Sequence, residues 1–344
     1  MTPYQMMNRK SDSPVVLFIY PHFSTFVKRD YQILKTHFEV NCFHYHTGKK
    51  LLTHLLSQLK LFYWLLKNIK MARVAYVWFA DYHSLLPVFF SKICKKKSII
   101  VLGGYEVTYL PEIKYGSFSN PIRSFFTRYS LTYATFICPV DSSLSTEMFQ
   151  RVKKIKGQII VNHTGYDPDQ WFCDREKEKV ILTVATCHTM QRVRLKGIDF
   201  FCKVASRLPE YNFCIVGMQK TLLKEITIPK NVIVYDKLEP NELREIYARA
   251  QVYAQFSLRE GLPNAVCEAM LCECIPVGSN VNGIPTAIGD CGFLIEGQNL
   301  TQAIRAIQQA LQSPLSLGKK ARNRIKENFT IPKREAVLIQ MMKS

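Results

Sequence analysis

Two glutamates, Glu260 and Glu268, stand eight residues apart in the stretch LREGLPNAVCEAM (Leu258–Met270), on either side of a Gly-Leu-Pro-Asn break. Proline suits the first position of a helix, so a helix is expected from Pro263 through NAVCEAML. Its amino end offers free backbone N–H groups and the positive end of the dipole, and Gly261 lets a ligand come close to the chain. That is a site for phosphate or diphosphate. Carboxylates do not bind phosphate, so the two glutamates need other partners. Sugar hydroxyls fit, because each ionised carboxylate accepts two short charge-assisted hydrogen bonds. Two sugars joined by a diphosphate are a nucleotide sugar.

Such a site needs a frame, and the chain supplies alternating strands and helices from end to end. Apolar runs that read as buried strands are VVLFIY, VAYVWF, SIIVLGG, TFICPV and QIIVNH in the first half, then VILTVAT, NFCIVG, NVIVYD, VYAQFS and CIPVGS. This alternation predicts parallel sheets covered by helices, an α/β protein. The stretch HTGYDPDQWFCDREKEKV has no apolar period and reads as a linker. The expectation is therefore an N-terminal Rossmann-like domain over 1–165, a linker over 166–179, and a C-terminal domain over 180–344. Open α/β sheets bind ligands at the carboxyl ends of their strands, so the two domains are expected to face each other across a cleft that holds the site.

A chain of 344 residues fits two domains of ordinary size, and 47% hydrophobic residues argue against disorder. Eleven cysteines scattered through apolar runs, behind a polar Met1–Asp12 with no secretory signal, point to a reducing cytoplasm. Cys272 and Cys274 have one residue between them, too close for the usual zinc pair, and read as structural. Asp167 and Asp169 flank one residue and could hold a cation on a diphosphate, but Pro168 favours a turn in which one of them caps the next helix.

The net charge is +19, and residues 1–100 carry 15 Lys and Arg against 4 Asp and Glu. Within this basic end lies LLTHLLSQLKLFYWLLKNIK, interrupted by Lys60 and Lys67 and so not a transmembrane span. Two readings stay open: a buried helix of the first domain, or one that dips into an anionic leaflet with its lysines on the headgroups. The basic run CKKKS lacks interleaved aromatics, and no nucleic-acid motif accompanies it, so no nucleic-acid partner is expected.

The paired-glutamate segment, with the trailing CIPVGS and GIPTAIGDCGFLIEG, resembles the donor-site signature of glycosyltransferase family 4, the group 1 glycosyltransferases of GT-B fold. The resemblance extends to KGIDFFCKVASRLPEYNFCIVG (Lys196–Gly217), to VNHTGYDPDQWF and to RIKENFT, nearly the whole chain. It implies that Glu268 holds the ribose hydroxyls and Glu260 a hydroxyl of the donor sugar, and that the amides from Gly261 through Leu262 to Asn264 face sugar and diphosphate. Lys196 matches the phosphate-binding lysine, and Gly217 joins the donor-binding set. The accompanying arginine is Arg192 or Arg194, with Arg192 preferred. Cations and a helix amino end at the leaving diphosphate are what the chemistry needs in any case, since breaking a glycosyl phosphate bond puts negative charge there.

The sequence also departs from that family. Glu273 stands where glycine usually follows the donor helix, and Thr286 where many relatives have glutamate. The loop after the first strand, YPHFSTFVKRD, is not glycine-rich; His22 in it reads as structural. On the acceptor side, Gly103 and Gly104 end a strand and Glu106 follows, either near the acceptor or as a helix-capping carboxylate. The resemblance implies a retaining transferase that moves a sugar from a nucleotide-sugar donor to a glycan or lipid-linked acceptor in cell-surface polysaccharide synthesis. It needs no cofactor and no obligatory metal. The basic first domain places it in the cytoplasm, peripheral on the inner face of the membrane, with the last helix crossing back to the N-terminal domain. A non-catalytic nucleotide-sugar-binding partner and a sugar-nucleotide epimerase of similar architecture share these features.

Overall fold

The computed structural model describes residues 14–48 and 51–344. The polar Met1–Asp12 segment lies outside the described residues, as do Lys49 and Lys50 of the basic end. The chain divides into two compact units, one running to Asn162 and including Glu335–Ser344, the other comprising His163–Arg334.

The first unit is built on a six-stranded, all-parallel sheet. Its strands are β1 (Val15–Tyr20), β2 (Glu39–His44), β3 (Ala72–Trp78), β4 (Lys97–Leu102), β5 (Phe136–Pro139) and β6 (Gln158–Ile159), in the order β2-β1-β3-β4-β5-β6. Helices on both faces leave Val16–Ile19 and Ile99–Leu102 without solvent contact, which is why these strands read as unbroken apolar runs. The sequence reading passes over β2 for the opposite reason. It is an edge strand, EVNCFH, whose residues are mostly half-buried or exposed, so no apolar run marks it.

Four helices of this unit matter below: α1 (Thr25–His37), α2 (Leu51–Asn68), α3 (Leu85–Ile93) and α4 (Pro121–Tyr133). Helix α2 is the leucine-rich stretch, and it is amphipathic in an unusual sense. Ser57, Leu61 and Leu65 are buried four residues apart, whereas Leu52, Leu55, Leu59 and Leu66 are exposed. No helix among the described residues is long and apolar enough to cross a membrane.

At the end of β4 the backbone turns at Gly103 and Gly104, the latter at φ +122°, into a single 3-10 turn, Tyr105–Val107. Glu106 is fully buried there and accepts hydrogen bonds from the amides of Gly103 (3.0 Å) and Gly104 (2.8 Å). The carboxylate that the sequence offers either to an acceptor or to a cap is turned onto its own backbone.

The second unit holds β7 (Glu178–Cys187), β8 (Asn212–Met218), β9 (Val232–Tyr235), β10 (Ala250–Gln255), β11 (Ile275–Ser279) and β12 (Phe293–Ile295), all parallel, in the order β12-β11-β10-β7-β8-β9. The three-residue edge strand β12 is the other strand that the sequence reading misses, again because only one side of it is covered. The stretch 166–179 packs onto this unit. Trp171 is buried, and Lys177 Nζ donates to the carbonyls of Tyr247 (3.0 Å), Ala250 (3.0 Å) and Cys272 (2.5 Å). Asp167 does cap a turn, accepting from the Asp169 amide at 2.9 Å, but no helix begins there, so the expected helix cap is corrected to a free-standing turn. Cys272 and Cys274 are buried, and the Cys274 thiol donates to the carbonyls of Tyr247 (3.1 Å) and Ala250 (3.2 Å).

The helix α9 (Asn264–Leu271) starts one residue later than expected, with Pro263 as its N-cap in extended conformation. It ends through Cys272 into Glu273, whose φ of +61° is left-handed. A side chain with a Cβ pays for that conformation, and glycine does not. Glu273→Gly is therefore expected to stabilise the protein by about 0.5–1 kcal/mol, read as a rise of a few degrees in the unfolding midpoint of this unit. An unchanged or lowered midpoint would mean that the Glu273 side chain makes up for its backbone.

Candidate functional site

In the second unit, strand order reverses between β7 and β10: the chain runs outward from β7 to β8 and β9, then returns to β10 and runs outward the other way to β11 and β12. Loops leaving the carboxyl ends of strands at such a reversal diverge and leave a crevice, where open α/β sheets take their ligands. The loop after β7 leads into helix α6 (Met190–Lys196), and the loop after β10 carries Ser257, Glu260 and Gly261 into α9.

The two loops are fastened to each other by backbone. Leu258 N donates to Leu195 O at 2.8 Å. Gly197 ends α6 in a left-handed conformation (φ +68°), and a Cβ there would lie 2.0 Å from Phe256 O. Only glycine fits, which explains why a Lys-Gly pair closes this helix. The result is direct contact between Lys196 and Glu260, Nζ to Oε1 at 2.6 Å, with side-chain exposures of 18% and 9%.

Glu260 is held from behind as well. Its Oε1 accepts from Ser257 Oγ (2.7 Å) and Gln255 Nε2 (3.0 Å), while Gln255 Oε1 accepts from the buried Tyr253 hydroxyl (2.6 Å). Burial pushes the Tyr253 phenol well above its usual value, so it stays a donor. Tyr253, Gln255 and Ser257 alternate along one face of β10 and its extension. Sequence reasoning took VYAQFS as a buried strand and missed these three; polar groups at period two in an otherwise apolar run are the signal that finds them. Asn282 is a fourth omission, its Oδ1 accepting from the Glu260 amide at 3.3 Å.

Arg192 and Lys196 are four residues apart on α6 and so share a face, whereas Arg194 is exposed on another. Both Arg192 and Lys196 act on Cys187 at the end of β7, whose thiol burial pushes up to about 11 against the pull of these two cations. The charges of Arg192 and Lys196 thus both reach the carboxyl end of β7. Thr189 caps the helix, its side chain accepting from the Arg192 amide at 3.3 Å.

The amino end of α9 opens beside this pair. Gly261 O accepts from Gly283 N at 3.0 Å, and a Cβ on Gly283 would lie 2.2 Å from that oxygen. The Leu262 side chain is buried, so only its backbone is available to a ligand. Asn264 Oδ1 accepts from the Tyr166 hydroxyl at 2.7 Å, tying the helix start to the segment after β6. One turn on, Glu268 is half-buried, and the Tyr247 hydroxyl lies 3.4 Å from its Oε2. Gly217, at φ +95° near the end of β8, is where a Cβ would meet Ala185 O at 2.8 Å. It keeps two strand ends close together. Thr286 and Ala287 carbonyls accept from Arg324 (2.8 and 2.9 Å), which closes the carboxyl end of helix α10 (Gly283–Ile288).

Lys196 and Glu260 are thus in contact, with Arg192 one turn before Lys196 on α6 and Glu268 about one turn into α9. Gly103, Gly104 and Glu106 lie in the other unit. Among the described residues, no group of His, Cys, Asp and Glu is arranged to hold a metal ion.

Comparisons with known proteins meet this geometry from outside. Residues 174–330 match the family described as glycosyl transferases group 1. The chain is 32% identical over 180 residues to a trehalose synthase of Thermococcus litoralis, covering 46% of this chain and 43% of that enzyme, so the match spans less than half of the relative. Its structure is similar to that of sucrose-phosphate synthase from Thermosynechococcus elongatus, with a TM-score of 0.77 at 13% identity over 96% of this chain and 98% of the other. It is similar also to Anabaena HepE in complex with UDP and glucose, with a TM-score of 0.74 at 12% identity over 96% and 99% of the two chains. At these identities the likeness shows the fold, which is GT-B.

Proposed function

We propose, from the match of residues 174–330 to the group 1 glycosyltransferases, that this protein is a retaining glycosyltransferase using a nucleotide-sugar donor. The observation that carries the reading is the Lys196–Glu260 contact at the mouth of α9, where the strand order reverses. The donor diphosphate lies at the amino end of α9, against Lys196 and Arg192. Glu268 takes the ribose hydroxyls, and Glu260 a hydroxyl of the sugar.

In the reaction the bond from the anomeric carbon to the β-phosphate oxygen breaks, and its electron pair stays on the diphosphate. The acceptor hydroxyl adds on the face that the diphosphate leaves and gives its proton to a diphosphate oxygen. Lys196, Arg192 and the helix amides meet the charge that grows on the leaving group, and they are in place before it grows. Glu260 fixes the sugar and also holds Lys196. A lysine has three protons to donate, so one stays on Glu260 while two face the diphosphate. The acceptor in this reading is a glycan or a lipid-linked glycan of cell-surface polysaccharide synthesis, at the inner membrane face.

UDP-glucose is the first donor to test, since HepE was solved with UDP and glucose. Thermal unfolding against UDP, GDP, ADP and CMP sugars reads the donor directly, because a ligand at 100 times its dissociation constant adds about 2.7 kcal/mol. One nucleotide class is expected to raise the midpoint, and Glu268→Ala is expected to weaken that ligand about tenfold or more while leaving the free protein's midpoint in place. No shift with any of the four, or an equal shift in the variant, would remove this donor assignment.

A further inference from the structure

Among the described residues, the outer face of helix α2 is left largely exposed. Leu52, Leu55, Leu59, Phe62 and Leu66 follow one another at spacings of three and four, which is a single stripe along a helix of about 27 Å. They are 64%, 55%, 58%, 42% and 49% exposed. The opposite stripe, Ser57, Leu61 and Leu65, is buried in the first unit, so the helix is firmly seated while it presents leucines outward. The apolar surface continues sideways. The Phe62 ring meets Phe90 of α3 at 5.4 Å, and beside it Phe89 and Ile93 are exposed as well.

Charge says what covers this face. From Leu51 to Lys97 the chain carries eight basic residues (Lys60, Lys67, Lys70, Arg73, Lys92, Lys95, Lys96, Lys97) and one acid, Asp81, which is ion-paired with Arg123 at 3.0 Å. Lys60 and Lys67, seven apart, run along one flank of the leucine stripe, and Lys67 leans over the Tyr63 ring at 4.3 Å. Lys92 and Lys95 are exposed at the end of α3, on the side to which Phe62 and Phe90 lead. An apolar stripe that the described residues leave about half exposed, flanked by lysines and, between Leu51 and Lys97, by no carboxylate other than the ion-paired Asp81, matches the acyl and headgroup layers of an anionic bilayer surface. Long lysine stems reach the phosphates while the leucines sit at the acyl boundary. With Lys60 and Lys67 and several other polar residues within it, this helix is not apolar enough to cross a membrane.

We propose that the outer face of α2, extended by Phe89 and Ile93, lies in the plane of an anionic phospholipid membrane and docks the first unit there. The inference extends the proposed action on a lipid-linked acceptor, yet it rests on the surface of the first unit alone, so it stands or falls apart from the donor site.

The test is co-sedimentation of the full chain with vesicles of phosphatidylcholine alone and of phosphatidylcholine with phosphatidylglycerol, at low and high salt. Binding to the anionic vesicles is expected to exceed that to the neutral ones by about tenfold or more and to weaken with salt. The pair Leu55→Gln with Leu59→Gln should lower binding at least about tenfold at every salt concentration. The pair Lys60→Gln with Lys67→Gln should remove most of the anionic preference and flatten the salt dependence. Because all four side chains are outside the core, both pairs should keep the wild-type unfolding midpoint and any donor-induced shift. Absence of binding to anionic vesicles at low salt overturns the proposal, as does binding that neither pair alters. A concentration-dependent dimer that the leucine pair disperses, without vesicle binding, would assign the face to a second copy of the chain and overturn it too.

Discussion

Replacing Lys196 by alanine is expected to lower turnover at saturating donor by roughly 10²- to 10³-fold, with a much smaller change in the donor concentration needed for half-saturation. The argument starts from where charge moves. The diphosphate carries its negative charge before and after reaction, but the increment that appears as the glycosyl bond breaks falls on the β-phosphate oxygens. A cation fixed beside them acts most strongly at that moment. Lys196 is fixed: Gly197 and the Leu258–Leu195 hydrogen bond set its backbone, and Glu260 holds its Nζ at 2.6 Å. Arg194→Ala serves as the control, because Arg194 is exposed on another face of the same short helix and should leave turnover nearly unchanged. Removing Lys196 also leaves the Glu260 carboxylate with Ser257 and Gln255 alone, so unfolding of the free variant must be measured beside its kinetics. Wild-type turnover in a folded Lys196→Ala protein would take the lysine out of the chemistry.

Much of the local geometry at this candidate site is legible in the sequence, and the part that is not has a physical reason. The paired glutamates and the Lys-Gly step each carry a local constraint: a helix amino end at Pro263–Asn264 and a left-handed cap at Gly197. Local constraints are visible in a few letters. The choice between Arg192 and Arg194 depended on which of two residues shares a helix face with Lys196, and that requires the helix to begin at Thr189–Met190. The Tyr253–Gln255–Ser257 ladder was hidden because its members read as interruptions of an apolar strand until Glu260 folds back over them. Of the four edge strands, β6 and β9 show as apolar runs, but β2 and β12 do not, because a half-covered strand needs no apolar run. Glu106 shows the limit most plainly. Two glycines and a glutamate at a strand end fit a ligand site and a closed turn equally well in one dimension, and only burial tells them apart.

That burial gives the second large expectation, an unusual dependence of stability on pH. Burial raises the Glu106 carboxyl from 4.5 to about 7, against the pull of hydrogen bonds from the amides of Gly103, Glu106 itself and Gly104; the nearby charge of Asp81 adds to the rise. An acid whose folded value lies above its unfolded one binds more protons when folded. Its contribution is therefore most favourable below about 4.5 and is lost as pH rises through the interval up to about 7, where the buried group must ionise. The full loss is on the order of 3 kcal/mol. Ordinary ion-paired carboxylates run the other way, so the total stability of the protein mixes opposite slopes. Glu106→Gln separates them, since it removes this titration and leaves the rest. The difference in unfolding free energy, wild type minus variant, measured by urea at several pH values, should fall by about 3 kcal/mol between pH 4.5 and 7.5 and stay level above. The glutamine can accept from only one of the two glycine amides, which shifts the whole difference by a constant and does not alter its slope. A difference that is flat with pH, or that rises, would mean that the three amides outweigh burial and that the carboxylate clamps the Gly103–Gly104 turn in its charged form throughout.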